Sequence, residues 1–166
     1  KVELFINGKS LGVKPSNMKT EFKAWWDVPY EPGELKAVGL VADSAVAFSV
    51  LNTAQKPTQI KLVADRTNIR ADGQDLSFIT VELTDENGLL HPKTGNLVEF
   101  EISGPAEIIA VASSNPMSEE SFQQQQRKAY KGRCLVIVKT TKDPGEIILS
   151  AKSKDLPDAQ ISILSK

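Results

Sequence analysis

The sequence contains one cysteine, Cys134, and one histidine, His91. A lone thiol excludes an internal disulfide and any multi-cysteine metal site, and a lone imidazole removes most metal centres and most pairings of a nucleophile with a base. No apolar run approaches the roughly 20 residues that cross a bilayer, and no basic segment, apolar stretch and small-residue cleavage site open the chain. Neither a membrane nor a targeting signal is therefore expected of this segment. An excess of one charge sign is missing as well: 20 basic and 21 acidic residues leave a net charge of -1. Without a basic stripe along one face, nucleic acid is not expected as a partner. The sequence also has no initiator Met, and "KVELFING" enters at once into a strand pattern, so the chain reads as a piece of a longer one.

What is present is the composition of an ordinary globular protein, 40% hydrophobic and 25% charged with 10 Gly and 9 Pro. Val2, Leu4 and Ile6 alternate with Glu3 and Phe5, Asn7-Gly8 supplies a type I′ hairpin dipeptide, and "KSLGVK" is the returning strand. Phe22, Ala24, Trp26 and Val28 alternate with Lys23, Trp25 and Asp27, which predicts a half-buried strand with Trp26 inward and Trp25 outward. After the turn-rich "PYEPGE", "LKAVGLVA" and "VAFSVLNT" continue the pattern, and the polar "AQKPTQ" marks a boundary.

Seven further strands are predicted: 60–64, 75–84, 97–102, 107–112, 133–140, 146–153 and 159–164. Between them stand Asp72-Gly73, Asn87-Gly88, Ser103-Gly104-Pro105 and Pro144-Gly145, at the spacing expected of a β-sandwich. "SEESFQQQQRKAYKG", Ser118 to Gly132, has no apolar stripe for a long helix and reads as an excursion anchored by Phe122 and Tyr130. The expected fold class is all-β, with two tandem immunoglobulin-like β-sandwich domains. Residues 1–55 form the first, partial and truncated at its N-terminus because it has too few strands to close; residues 56–166 form the second.

"VELFINGKSLG" followed by "FKAWWDVPYEPGELKAVG" resembles the domain that follows the catalytic barrel in bacterial glycoside hydrolase family 2 enzymes of the β-galactosidase type. "IKLVADRTNIRADGQDLSFITVELTDENG", "PKTGNLVEFEISGPAEIIAV", "RKAYKGRCLVIVKTT" and "PGEIILSAKS" resemble the immunoglobulin-like domain at the C-terminal end of the same enzymes. The resemblance implies a modular hydrolase whose glutamate pair lies on an upstream barrel. The catalytic domain of the same chain would then be the partner of this region, and the whole a periplasmic or secreted bacterial protein. Where such family members tend to carry an Asn-Gly-Asp-Pro turn, this chain has "ASSNP", Ala112 to Pro116.

Glycoside hydrolysis needs two carboxyl groups set across the scissile bond, one with a raised pKa. Glu119-Glu120 and Asp85-Glu86 are adjacent pairs in polar turns, where carboxylates are solvated, so no catalytic residue is assigned. Asp72, Gly73 and Asp75, and likewise Asp85, Asn87 and Gly88, offer oxygen ligands for Ca²⁺ but match no complete calcium loop and read as turns. No metal or other cofactor is expected. His91 reads as a solvated loop residue and Cys134 as a buried, unreactive thiol. Trp25 and Tyr30 are the candidate carbohydrate- or interface-facing residues, since an exposed aromatic ring either stacks on a sugar or anchors a junction.

The leading expectation is a non-catalytic C-terminal region that supports the catalytic domain and shapes access to it. A carbohydrate-binding module holding oligosaccharide and an adhesin fragment of bacterial immunoglobulin-like repeats are the alternatives. A dimer through the truncated edge of the first domain is a further partner expectation.

Overall fold

The computed structural model describes residues 1–166. It is built from β-strands, with a 3-10 turn at Met18–Thr20. Two compact units, Lys1–Thr53 and Ala54–Lys166, divide the chain.

The first unit is a single antiparallel sheet. Strands β1 (Val2–Ile6), β2 (Lys9–Lys14), β3 (Glu34–Val41) and β4 (Ser44–Asn52) lie in the order β2-β1-β3-β4. Asn7 and Gly8, at φ 48° and 79°, make the tight turn between β1 and β2. Asn7 also ties the turn to the start of β3, accepting from the Glu34 N–H at 2.9 Å and donating to the Pro32 carbonyl at 3.1 Å.

The strand expected over Phe22 to Val28 is not formed. Glu21 and Phe22 both take left-handed backbone, at φ 52° and 58°, as the chain leaves the 3-10 turn, and Phe22 is 70% exposed. The alternation survives in burial alone: Ala24, Trp26 and Val28 are half-buried, while Trp25 and Asp27 are exposed. Period two reports which side chains face inward, but a strand also needs a neighbour's hydrogen bonds, and Pro29 and Pro32 bring no donors. This unit has one sheet, and no residue from 1 to 53 is fully buried.

The second unit is a two-sheet sandwich. One sheet has the order β10-β8-β12-β13-β6, from β10 (Gln126–Lys128), β8 (Leu97–Ser103), β12 (Gly145–Lys152), β13 (Ala159–Ser165) and β6 (Asn68–Ile69). The other has the order β5-β7-β11-β9, from β5 (Gln59–Ala64), β7 (Leu76–Thr84), β11 (Arg133–Thr140) and β9 (Ala106–Ala112). Alternate residues of each strand meet between the sheets: Ile79, Val81 and Leu83 from β7, Val136 and Val138 from β11, Phe100 from β8, and Ile147 and Leu149 from β12. Each such side chain contributes about 1.5–3 kcal/mol by leaving water, so this core holds the unit together.

From β9 the chain makes the excursion foreseen in the sequence, through a turn and a series of bends and without a helical turn at Ser118. The excursion is stitched to both sheets. The Val111 N–H of β9 donates to the Phe122 carbonyl at 2.8 Å, and the Phe100 N–H of β8 donates to the Gln125 carbonyl at 2.8 Å. Beneath it lies Arg127, only 1% exposed.

Candidate functional site

Trp25 and Tyr30 remain on the surface, 75% and 77% exposed. They are held by different partners. The Lys14 ammonium donates to the Trp25 carbonyl and sits 5.3 Å from the centre of the Trp26 ring, so a cation–π contact pins the inner tryptophan and leaves the outer ring free. The Tyr30 hydroxyl lies 3.3 Å from Thr53 Oγ1, which also accepts from the Gly33 N–H at 3.0 Å. That bond fixes the end of the Pro29–Gly33 turn against the end of the unit.

Sequence periodicity gave no warning of the apolar surface beside them. Strand β4 lies at the sheet edge with Val46, Phe48 and Leu51 exposed to 63%, 74% and 68%. Phe48 pairs with Val38 across the sheet, and the Lys36 ammonium stands 5.5 Å from its ring. The signal was present, since Val46 to Leu51 is nearly all apolar, and such a run suits a strand buried on both faces. Here neither face of β4 is buried by its own unit.

The carboxylate candidates are structural. Asp72 accepts from the N–H groups of Gln74 and Asp75, both at 2.8 Å. Asp75 accepts from the Arg70 N–H at 2.9 Å and pairs with Arg66 at 3.0 Å. Asp85 is fully buried and accepts from the N–H groups of Gln55, Asn87 and Leu89 at 2.9, 2.9 and 3.0 Å. Oxygens so engaged close turns. No group of three His, Cys, Asp or Glu side chains is placed to hold a metal ion. Glu119 is exposed while Glu120 turns inward to face Arg127 at 3.7 Å. His91 is half-buried rather than solvated, and its Nδ1 has no hydrogen-bond partner.

Those hydrogen bonds hold all three aspartates below the ordinary carboxylate range, the chief donors being the Gln74 N–H for Asp72, the Arg70 N–H for Asp75 and the Gln55 N–H for Asp85. A depressed folded pKa stabilises at pH values above the unfolded one, near 3.9, and that stability is lost as protons return below it. At the other limb, burial pushes the Cys134 thiol up to about 12. A raised pKa stabilises below the unfolded value and loses that stability as pH rises toward the folded one. Thermal unfolding of the chain is thus expected to show a plateau of Tm in the neutral range, with a fall below about pH 4 and a second above about pH 9. Asp85→Asn should flatten the acid limb, because its carboxylate no longer titrates.

Comparison with known proteins follows the division into units. Residues 60–162 match the model of the glycoside hydrolase family 2 C-terminal domain 5, and residues 1–47 match a domain of unknown function (DUF4982). The chain is 43% identical over 162 residues to the β-galactosidase BoGH2A of Bacteroides ovatus, covering 98% of this chain and 19% of that protein. It is 32% identical to a putative β-glucuronidase of Formosa agariphila, over 87% of this chain and 14% of that protein. A crystal structure of a glycosyl hydrolase family 2 member from Bacteroides cellulosilyticus superposes on 99% of this chain and 21% of its own, with a TM-score of 0.93 at 45% identity. The chain thus spans a fifth or less of the curated relatives named here.

Proposed function

The chain belongs to glycoside hydrolase family 2, whose C-terminal domain it carries, and on that premise we propose that it is a non-catalytic part of such an enzyme that supports the catalytic domain. The observation that carries this reading is the first unit's lack of a buried core beside the exposed Val46, Phe48 and Leu51 of β4. An apolar edge strand left in water is a template for aggregation, so a cover is required. The cover fitting a segment of a modular hydrolase is the catalytic domain of the same chain, and the enzyme so supported acts on β-galactosides in the periplasm or outside the cell. In the full-length enzyme, Phe48→Glu with Leu51→Glu should shorten the half-life at elevated temperature by about tenfold or more, given ~1.5–3 kcal/mol for each apolar side chain uncovered. The kcat/KM at low temperature should be unchanged. An unaltered half-life would sink the proposal, and a monomer produced from a dimer would reassign the surface to a second copy.

A second reading rests on Trp25 itself. A ring 75% exposed beside a firmly held backbone is suited to stacking on a pyranose face. Trp25→Ala separates the two readings, because loss of oligosaccharide-dependent tryptophan fluorescence without loss of stability belongs to sugar binding alone.

A further inference from the structure

A cleft of about 400 Å³ opens in the second unit. It lies between the Pro92–Gly95 loop, the end of β10 and the Tyr130–Arg133 turn, with Asn115 contributed by the excursion. The walls are fixed to one another. Gly132 N–H donates to the Thr94 carbonyl at 2.9 Å, and Ala129 N–H donates to the Asn96 carbonyl at 2.9 Å. Tyr130 and Arg133 exchange backbone hydrogen bonds at 2.8 and 3.1 Å across the turn. A Cβ on Gly132 would stand 2.4 Å from the His91 carbonyl oxygen, so the turn touches the loop with no room between them.

Lys93, Lys128 and Lys131 line this cleft, and no carboxylate does. In a chain with one more acid than base, three ammonium groups on one concavity are a local concentration of charge. Lys61, Lys139 and Lys152 of the same sandwich each face a carboxylate, at 3.7, 2.6 and 3.1 Å, whereas the three cleft lysines face none. Glu120 accepts from the Lys128 backbone N–H at 3.0 Å, but its charge is opposed to Arg127.

The turn that carries Lys131 resembles the one between β1 and β2. Lys131 and Gly132 take φ 51° and 80°, nearly the values of Asn7 and Gly8 at 48° and 79°. The same mirror-image turn thus carries asparagine in one place and lysine in the other. Left-handed backbone is shared by Glu21, Phe22 and Ala42, so it does not single out Lys131, but asparagine would suit this turn better than lysine. That ammonium stands 5.4 Å from the Tyr130 ring, beside the cleft. Asn115 accepts the Met117 N–H at 3.0 Å through Oδ1, which leaves its amide N–H groups to donate outward.

A rigid concavity of this size falls within the range of small-ligand sites, and its polar groups are chiefly donors. We propose that the cleft formed by Lys93, Lys128, Lys131, Asn115 and Tyr130 binds a saccharide bearing a carboxylate or a sulfate group. The sugar half of that statement rests on the chain's place in a glycosidase; the anionic half rests on the lysines alone.

The test is NMR titration of the isotope-labelled second unit, Ala54–Lys166, which has its own core, with trigalacturonate, a sulfated galactan tetrasaccharide, uncharged galactotetraose and sodium sulfate. Saturable shifts at Lys93, Thr94, Gly95 and Tyr130 are expected with a charged oligosaccharide, and which of the two saturates assigns the group. Affinity should fall about fivefold or more between about 50 and about 300 mM salt. Lys131→Asn should keep or raise Tm, since asparagine suits the turn, while weakening binding about fivefold or more, as expected for a desolvated charge contact. Lys93→Gln, on an exposed loop residue, should weaken binding likewise. Failure of both charged oligosaccharides to saturate, equal shifts with sodium sulfate or the neutral sugar, or wild-type affinity in both variants would overturn the proposal. None of those results bears on support of the catalytic domain, which is read from the half-life of the full-length enzyme.

Discussion

Arg127→Met is expected to lower the stability of the sandwich by about 3 kcal/mol, because several acceptors lose a fully buried charged donor while the partly exposed Glu120 loses its partner. Methionine matches much of the volume, so cavity formation is a minor part of the loss. The larger part is polar. The guanidinium donates to the carbonyls of Glu120 and Ser121 at 3.0 and 3.4 Å and to Ser113 Oγ at 3.4 Å, and it lies 5.1 Å from the Phe122 ring. Without it, groups of the excursion that Arg127 satisfies lose their donor, and Glu120 loses its counter-charge. Arg133 and Glu82 form a shorter pair, at 2.8 Å, yet Arg133 is 57% exposed and the pair contributes only about 0–1 kcal/mol. Urea unfolding of Arg127→Met, Glu120→Gln and the double variant measures the difference. The double should cost less than the sum of the singles; strict additivity would show that the pair is not coupled.

Gly104→Ala is the second large effect. Gly104 sits at φ 92° in the turn between β8 and β9, and an added Cβ would lie 2.1 Å from the Glu146 carbonyl oxygen and 3.0 Å from Ile147 Cα. Both obstacles are backbone of β12, which cannot rotate aside as a side chain can. The left-handed conformation costs an alanine about 1–2 kcal/mol and the overlap about 1–3 more, so a loss of about 2–5 kcal/mol is expected. The denaturant midpoint should fall with little change in slope. A midpoint within error of the parent's would mean that the turn moves away from β12 freely.

Both residues show where sequence reading stops. Ser103-Gly104-Pro105 is legible as a turn from composition, but the approach of β12 is not, because it joins residues some forty positions apart. Arg127 falls in a glutamine-rich run that reads as solvated, and nothing in its neighbourhood marks one arginine for burial. The strands of the second unit were legible because alternation and turn dipeptides agree, as from Arg133 to Thr140. β6 and β10 were missed because two or three residues carry no period. Of the candidate site, the inward Trp26 and outward Trp25 follow from alternation even though no strand forms there. The exposed face of β4 and the lysine cleft needed the third dimension: the first because an apolar run implies burial on both faces, the second because Lys93 meets Lys128 and Lys131 only when the Pro92–Gly95 loop folds against the end of β10.

The excursion between β9 and β10 has one more consequence. Strand β9 ends its sheet, and an uncovered sheet edge invites another molecule to add a strand. Because the Phe122 carbonyl already takes the Val111 N–H of β9, part of that rim is occupied from within the chain, and the Gln125 carbonyl likewise takes the Phe100 N–H of β8 in the facing sheet. The segment that closes the β9 edge thus runs directly into four successive glutamines, whose amides are well suited to laddering between copies, so opening that edge would expose both at once.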